Sequence, residues 1–273
     1  MKKIFFIGFL LIFGFTPLQT VFSQASNSMI LIRGGSFLMG SPEDEPGRNM
    51  TDEGPVHKVN ISSFYMAKYP VTQAEYELIM GANPSQNKGE NHPVERVSWN
   101  MAVEYCNKRS IAEGLTPVYS IDGNNVIWDR KANGYRLPTE SEWEYACRAG
   151  TTTAYNTGSN ITNNTGWYNA NSGGTMQAVG QLPANRFGLF DMHGNVWEWC
   201  WDWYHRYPTH AETNPTGPPG PIANAEVFIS QRIVRGGTFQ HPPEFMRSAH
   251  RSWFTPDRNA SNMAGFRIVR NAQ

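Results

Sequence analysis

Asn185-Arg-Phe-Gly-Leu-Phe-Asp-Met-His-Gly194-Asn-Val-Trp-Glu-Trp-Cys-Trp-Asp-Trp-Tyr204 is the densest aromatic stretch of the 273-residue chain. Trp197, Trp199, Trp201 and Trp203 alternate, so in a strand all four indoles share one face. Four indoles on one face argue for packing against another layer. The segment therefore predicts a strand that lays its indole face on another layer.

Working outward, the local signals are mixed. Met29 to Met39 alternates around Gly34-Gly35 as a strand and turn, and Val56 to Met66 alternates again. Ser41 to Gly54 is acidic, bears Pro and Gly, and reads as an exposed loop. Thr72 with Glu75 and Thr139 with Glu142 have capping-box spacing, so each opens a short helix; Gly150 stops the second. Ser98 caps a helix running to about Ala112. Val118 to Asp129 predicts a hairpin turned at Asp122-Gly123-Asn124. Thr151 to Gln181 is rich in Asn, Gly and Thr, and a loop that long needs a job or an ion to hold it. Pro208 to Pro221 reads as a surface loop. Three short strands are expected at the end: Gln231 to Arg235, Phe245 to His250 and Gly265 to Arg270. With no internal repeat and no linker between halves, residues 26–273 read as a single domain.

Nine Trp, 25 Gly and 18 Pro describe a loop-rich α+β chain with an aromatic core. Lys plus Arg equals Asp plus Glu at 23 each, a balance that gives no reason to expect nucleic acid or an anionic lipid surface. Lys2, Lys3, the apolar run Ile4 to Phe15, Pro17 and small residues to Ala25 have the layout of a cleaved export signal. The run is shorter than the roughly 20 residues a bilayer span takes. Cleavage after Ser23 or Ala25 is expected, leaving an exported protein (periplasmic, cell-surface or secreted) with no membrane anchor. Cys106, Cys147 and Cys200 are an odd set, so one internal disulfide at most can form. Their apolar neighbours favour buried small hydrophobes, and their spacing fits no zinc pattern.

Several blocks together resemble the formylglycine-generating enzyme (sulfatase-modifying factor) family. They are Arg33-Gly-Gly-Ser-Phe-Leu-Met-Gly40, Glu53-Gly-Pro-Val-His57, Tyr69-Pro-Val-Thr-Gln73, Pro93-Val-Glu-Arg-Val-Ser-Trp99 and Tyr135 to Tyr145. Asn185 to Trp199, Val234-Arg-Gly-Gly-Thr238 and Gly265-Phe-Arg267 follow in family order. The resemblance implies a C-type-lectin-like fold with short twisted strands, few helices and much ordered loop. It also implies one Ca²⁺ held by the carboxylates of Asp191 and Glu198 and the backbone oxygens of Gly194 and Val196, the several oxygens a hard cation takes at about 2.4 Å.

The family's chemistry converts a sulfatase cysteine to formylglycine with O2 and a copper ion held by two cysteines just after the Gly-Gly-Ser motif. Cu(I) is soft and prefers thiolates. Here Gly236 to Arg251 holds no cysteine. The copper-thiolate mechanism therefore does not transfer, and no copper is expected. His241, Glu244 and His250 are a two-His, one-carboxylate set, but loop histidines are more often simple polar residues. Met246 reads as core. Two functions compete. One is a non-catalytic module binding an extracytoplasmic protein or small molecule, with Thr238, Gln240, His241, Glu244, Trp253, Phe254, Arg258 and Asn262 lining a groove. In retroelement-linked relatives that segment is varied, so a variable display protein is one form of this reading. The alternative is a divergent enzyme modifying a protein or small molecule outside the cytoplasm by oxidase or non-haem-metal chemistry.

Overall fold

The computed structural model describes residues 29–223, 228–257 and 263–272; the predicted export signal lies outside these described residues. The central sheet orders β12 (Ser252–Phe254), β11 (Arg232–Arg235), β7 (Trp197–Trp203) and β13 (Ala264–Gly265), with β13 parallel to β7 and the other pairs antiparallel. A second sheet joins β1 (Met29–Ile32), β4 (Phe64–Ala67) and β14 (Val269–Asn271), and a third joins β2 (Gly35–Met39), β3 (His57–Ile61) and β8 (Glu212–Thr213). Two small hairpins pair β5 (Tyr119–Asp122) with β6 (Asn125–Trp128) and β9 (Ile222–Ala223) with β10 (Phe228–Ile229). Three helices complete the described α+β fold: α1 (Gln73–Met80), α2 (Trp99–Ala112) and α3 (Glu140–Arg148). No helix among the described residues is long and apolar enough to cross a membrane.

The period of β7 divides the interior. Its indoles face one apolar cluster with α2, where Trp201 packs 5.4 Å from Trp99 and 5.2 Å from Tyr119, ring to ring. Two indoles lock strand to helix reciprocally: Trp99 Nε1 donates to the Cys200 carbonyl and Trp199 Nε1 to that of Val97, at 2.9 and 2.8 Å. Buried indole N–H groups are thereby satisfied rather than orphaned. The even residues Glu198, Cys200 and Asp202 face the other way, toward α3 and its Trp143, Ala146 and Cys147.

Both capping boxes form, at Thr72/Glu75 and Thr139/Glu142, and Ser98 caps α2. Three expectations fail. Val56 to Met66 is two strands, β3 and β4, in different sheets, with Ser62 and Ser63 between them. Gly265 to Arg270 is two strands, because between them Phe266 and Ile268 turn their carbonyls to the amides of Val71 and Ala67, and Arg267 reaches Glu198. Phe245 to His250 is no strand: Pro243–Met246 is a 3₁₀ turn, and the pairing strand starts at Ser252. Consecutive prolines lack the amides a ladder needs.

Candidate functional site

The segment predicted to form the ligand surface begins where β11 ends. Gly236 and Gly237 both take positive φ, and a Cβ on Gly237 would meet Met246 at 2.8 Å, so only glycine lets the chain turn under the 3₁₀ turn. Thr238 follows, fully buried, its Oγ1 accepting from the Gln240 amide at 3.3 Å and sharing a 2.8 Å hydrogen bond with His241 Nδ1. His241 is half-buried, stacked 4.7 Å from Phe245 and tilted 5.3 Å from Trp197. Gln240 and Glu244 are exposed. Burial, then His250, lowers the His241 pKa, so the ring is neutral near pH 7.

Thr238 therefore corrects the expected groove: it is a post under the turn, with no accessible face. Trp253 and Phe254 are half-buried; Trp253 packs 4.4 Å from Tyr204, and Phe254 meets Trp199 edge-on. Arg258 and Asn262 lie outside the described residues. The long loop of residues 151–181 helps hold the turn: the Asn169 amide donates to the His241 carbonyl and the Tyr155 hydroxyl to that of Pro243.

Beneath this turn lies a web of buried charge. Arg251 grips Glu140 through two bonds of 2.6 and 2.8 Å, and Arg247 grips Glu53 through two of 2.5 and 2.8 Å. Arg235 pairs with Glu144, which Arg148 also reaches at 2.9 Å. The loop of residues 41–54, expected to be exposed, is pinned into this web: Ser41, Asp52 and Glu53 are fully buried. Adjacent Asp52 and Glu53 differ sharply. Burial opposes ionisation of Glu53, but the nearby His250 ring, the Arg247 fork and the Asn49 amide outweigh it and hold its carboxyl well below the usual range. Asp52 finds no donor for either oxygen, and burial pushes it up to about 6. His250 Nδ1 lies 3.6 Å from Glu53 Oε1, and burial holds the His250 pKa down. No group of three or more His, Cys, Asp or Glu side chains among the described residues is arranged to hold a metal.

The calcium set lies on the approach to β7. Glu198 is fully buried; both oxygens take 2.7 Å bonds from Arg267, and Oε2 also accepts from Trp143 Nε1. Asp191 Oδ2 accepts from the Gly180 amide at 2.8 Å, whereas Oδ1 is buried without a partner and burial pushes the carboxyl up to about 6. Gly194 packs so tightly that a Cβ would lie 2.0 Å from the Trp167 carbonyl oxygen. An orphaned carboxylate oxygen beside a turning backbone suits a hard cation. Within the set, Asp191 Oδ1 is the carboxylate oxygen without a partner; both oxygens of Glu198 are taken by Arg267 and Trp143, and the Gly194 carbonyl accepts from the Val196 amide at 2.9 Å.

All three cysteines are free and buried. One contact invisible in the sequence joins Cys147 to His193, Sγ lying 3.7 Å from Nε2. It is not a nucleophilic pair. Burial pushes the thiol up to about 12 and the imidazole down to about 4. The ring is spoken for: Nδ1 donates to the Met246 carbonyl and Nε2 accepts from the Asn156 amide. Two cavities of about 280 and 390 Å³ flank Trp128, Arg130 and Thr216, and no residue of the 238–257 segment lines either.

Residues 16–272 match the family described as sulfatase-modifying factor enzyme 1-like domain. A chaperone protein LppX of Paenibacillus barcinonensis is 39% identical over 225 residues, 70% of this chain and 75% of that one. A Bos taurus formylglycine-generating enzyme is 30% identical over 88% of this chain and 74% of its own length. A Chlamydia pneumoniae protein named serine/threonine-protein kinase pkn1 is 30% identical, but this chain spans only 38% of its length. Among solved structures, Treponema denticola variable protein 1 superimposes with a TM-score of 0.77 and 28% identity, over 89% of this chain and 95% of that one. With the glycine turn after β11, the capped helices and the Trp-rich β7 all in place, the chain belongs to the sulfatase-modifying factor enzyme 1-like family.

Proposed function

We propose that this chain is an exported, non-catalytic binding module on the sulfatase-modifying factor scaffold. In this reading Gln240, His241 and Glu244 meet an extracytoplasmic protein or small-molecule ligand, with Trp253 at the border. The observation that carries the reading is chemical. The segment after Gly236-Gly237 has no thiol, and the three cysteines are buried elsewhere, each with its thiol pushed upward by burial. A copper-thiolate oxidase needs two thiolates at that turn. What supports binding is the construction of the turn: exposed polar side chains on a base of buried, ion-paired arginines, the rigid support that precise contacts require. Likeness to a relative named a chaperone and to a structure called a variable protein supports a protein ligand and a display role.

Ca²⁺ belongs to the proposal as a structural ion, with Asp191 its principal ligand and the Gly194 and Val196 carbonyls beside it; Glu198 joins the set only by giving up a bond to Arg267. Elemental analysis of the purified chain tests both halves. We expect calcium near one equivalent, lost in the Asp191→Ala variant, and no copper retained after exposure to Cu(I) and gel filtration. Stoichiometric copper that survives a competing chelator contradicts the non-oxidase reading. Calcium absent at every preparation contradicts the metal assignment.

A further inference from the structure

One buried charge lies outside every pairing described above. Arg232 stands opposite Trp203 in the β11–β7 register, so it shares the indole face of β7. It is 97% buried, with 3% of its surface exposed. Its guanidinium carbon lies 3.6 Å from the ring centroid of Trp203, 3.8 Å from that of Trp99 and 5.0 Å from that of Trp201. Nη1 donates to the Trp201 carbonyl at 2.5 Å. Nε is buried with no partner, and among the described residues no carboxylate lies within ion-pair distance of the group. Asp202, next along β7, points to the opposite face and accepts from the Glu140 amide.

A buried cation without a counter-ion is costly. Stacking on indoles offsets part of that, yet burial still pulls the Arg232 pKa down to about 9. Arg232 also lines the cavity of about 390 Å³, whose walls include Trp128, Trp201, Trp203, Ile127 and Pro218. That volume lies in the range of small-ligand sites. Trp128 brings a second buried N–H with no partner. Two orphaned donors on the walls of a cavity that sets three indoles beside polar groups such as Asn125 and Thr216 describe a site made for an acceptor on a flat body that stacks on the rings.

We propose that this cavity binds a carboxylate carried on a flat apolar group, the carboxylate taken by Arg232 and the group laid against Trp128, Trp201 and Trp203. A monoanion balances the one buried guanidinium; Arg130, on the same wall, is exposed and already donates to Thr216 Oγ1. The carboxylate could belong to a free aromatic acid or to the C-terminus of a peptide ending in an aromatic residue. The site is separate from the turn at Gln240 to Glu244, and its occupancy does not depend on the function proposed for that turn.

The test titrates the purified chain with 3-phenylpropionate, 3-phenylpropionamide and an acetylated tripeptide ending in phenylalanine with a free carboxylate, following indole fluorescence. At least one of the two acids should bind saturably, and the amide at least tenfold more weakly; which acid binds identifies the source of the carboxylate. Arg232→Lys, with its native near-UV circular dichroism kept, should lose at least tenfold in affinity because the fork is gone. Should that variant not fold, Ile127→Glu at the exposed rim serves instead, weakening acid binding several-fold at unchanged melting temperature. Equal binding of acid and amide, no binding of either acid, or unchanged affinity in a folded Arg232→Lys or in Ile127→Glu would overturn the assignment.

Discussion

Arg251 and Arg232 flank the same strand, β12, and both are buried, but their surroundings differ in kind. Arg251 gives its fork to Glu140 and its remaining donor to the carbonyls of Asp52 and His205, so every charge has a partner. Arg232 has indoles, one carbonyl and no carboxylate. The first arrangement has nothing left to offer a ligand and serves to hold the 236–254 turn in place. The second keeps unused donors beside open volume. In this fold a matched buried charge marks framework, and an unmatched one marks a place to look for chemistry.

The largest expected effect breaks the framework. Arg251→Ala takes the fork from buried Glu140, leaving it Arg235 at 3.7 Å and the Tyr207 hydroxyl, and should cost about 3 kcal/mol of stability, read from denaturant unfolding. Arg232→Met removes a charge without stranding one, so it should change stability by roughly 1 kcal/mol or less, packing and stacking losses offset by relief of desolvation. If the two variants lose equally, the contrast between them is wrong.

A smaller effect separates the neighbours Asp52 and Glu53. The folded pKa of Asp52, about 6, lies above its ordinary 3.8, so its ionised form is disfavoured by folding. Its contribution is fully present below about pH 4 and is lost as pH rises through 6. Asp52→Asn should therefore stabilise the chain by about 1–3 kcal/mol at pH 7, with the gain vanishing near pH 4. Glu53, held below its ordinary value, has the opposite sign: its stabilisation is present above pH 4.5 and fades on acidification, so Glu53→Gln should destabilise at pH 7. Unfolding curves at the two pH values decide it, and a parallel response of the two variants would contradict the assignment.

The smallest effect belongs to the proposed ligand surface. Gln240→Ala and Glu244→Ala touch exposed side chains and should each stay within about 0.5 kcal/mol of the parent. A larger loss at either position would mean that the turn uses these residues for itself.

Local chemistry was legible in the sequence and distant pairing was not. Thr72, Ser98 and Thr139 announce their helices because a cap and its amides lie three residues apart. The four alternating tryptophans announce β7 for the same reason of period. The family blocks led to the glycine turn and to Asp191 and Glu198. What stayed hidden depends on residues far apart. Glu53 meets Arg247 across 194 positions, so the two ends of an acidic, Pro-bearing stretch read as exposed loop are buried while its middle stays exposed. Thr238 was placed on an accessible face because the sequence does not reveal that His241 and Phe245 close over it. Arg232 shows no local signature either: its cage is assembled from Trp99, Trp201 and Trp203, and its cavity adds Trp128.

The most direct measurement on the central claim, that this member of the family binds without oxidising thiols, is a turnover assay. The purified chain is incubated with Cu(I), O2 and a cysteine-containing sulfatase peptide, and aldehyde is measured by hydrazide capture and mass spectrometry against a metal-only control. With no thiol after Gly236-Gly237 and all three cysteines buried, the account predicts aldehyde at the level of the control. Aldehyde formed catalytically, in excess of one equivalent per chain, would contradict it.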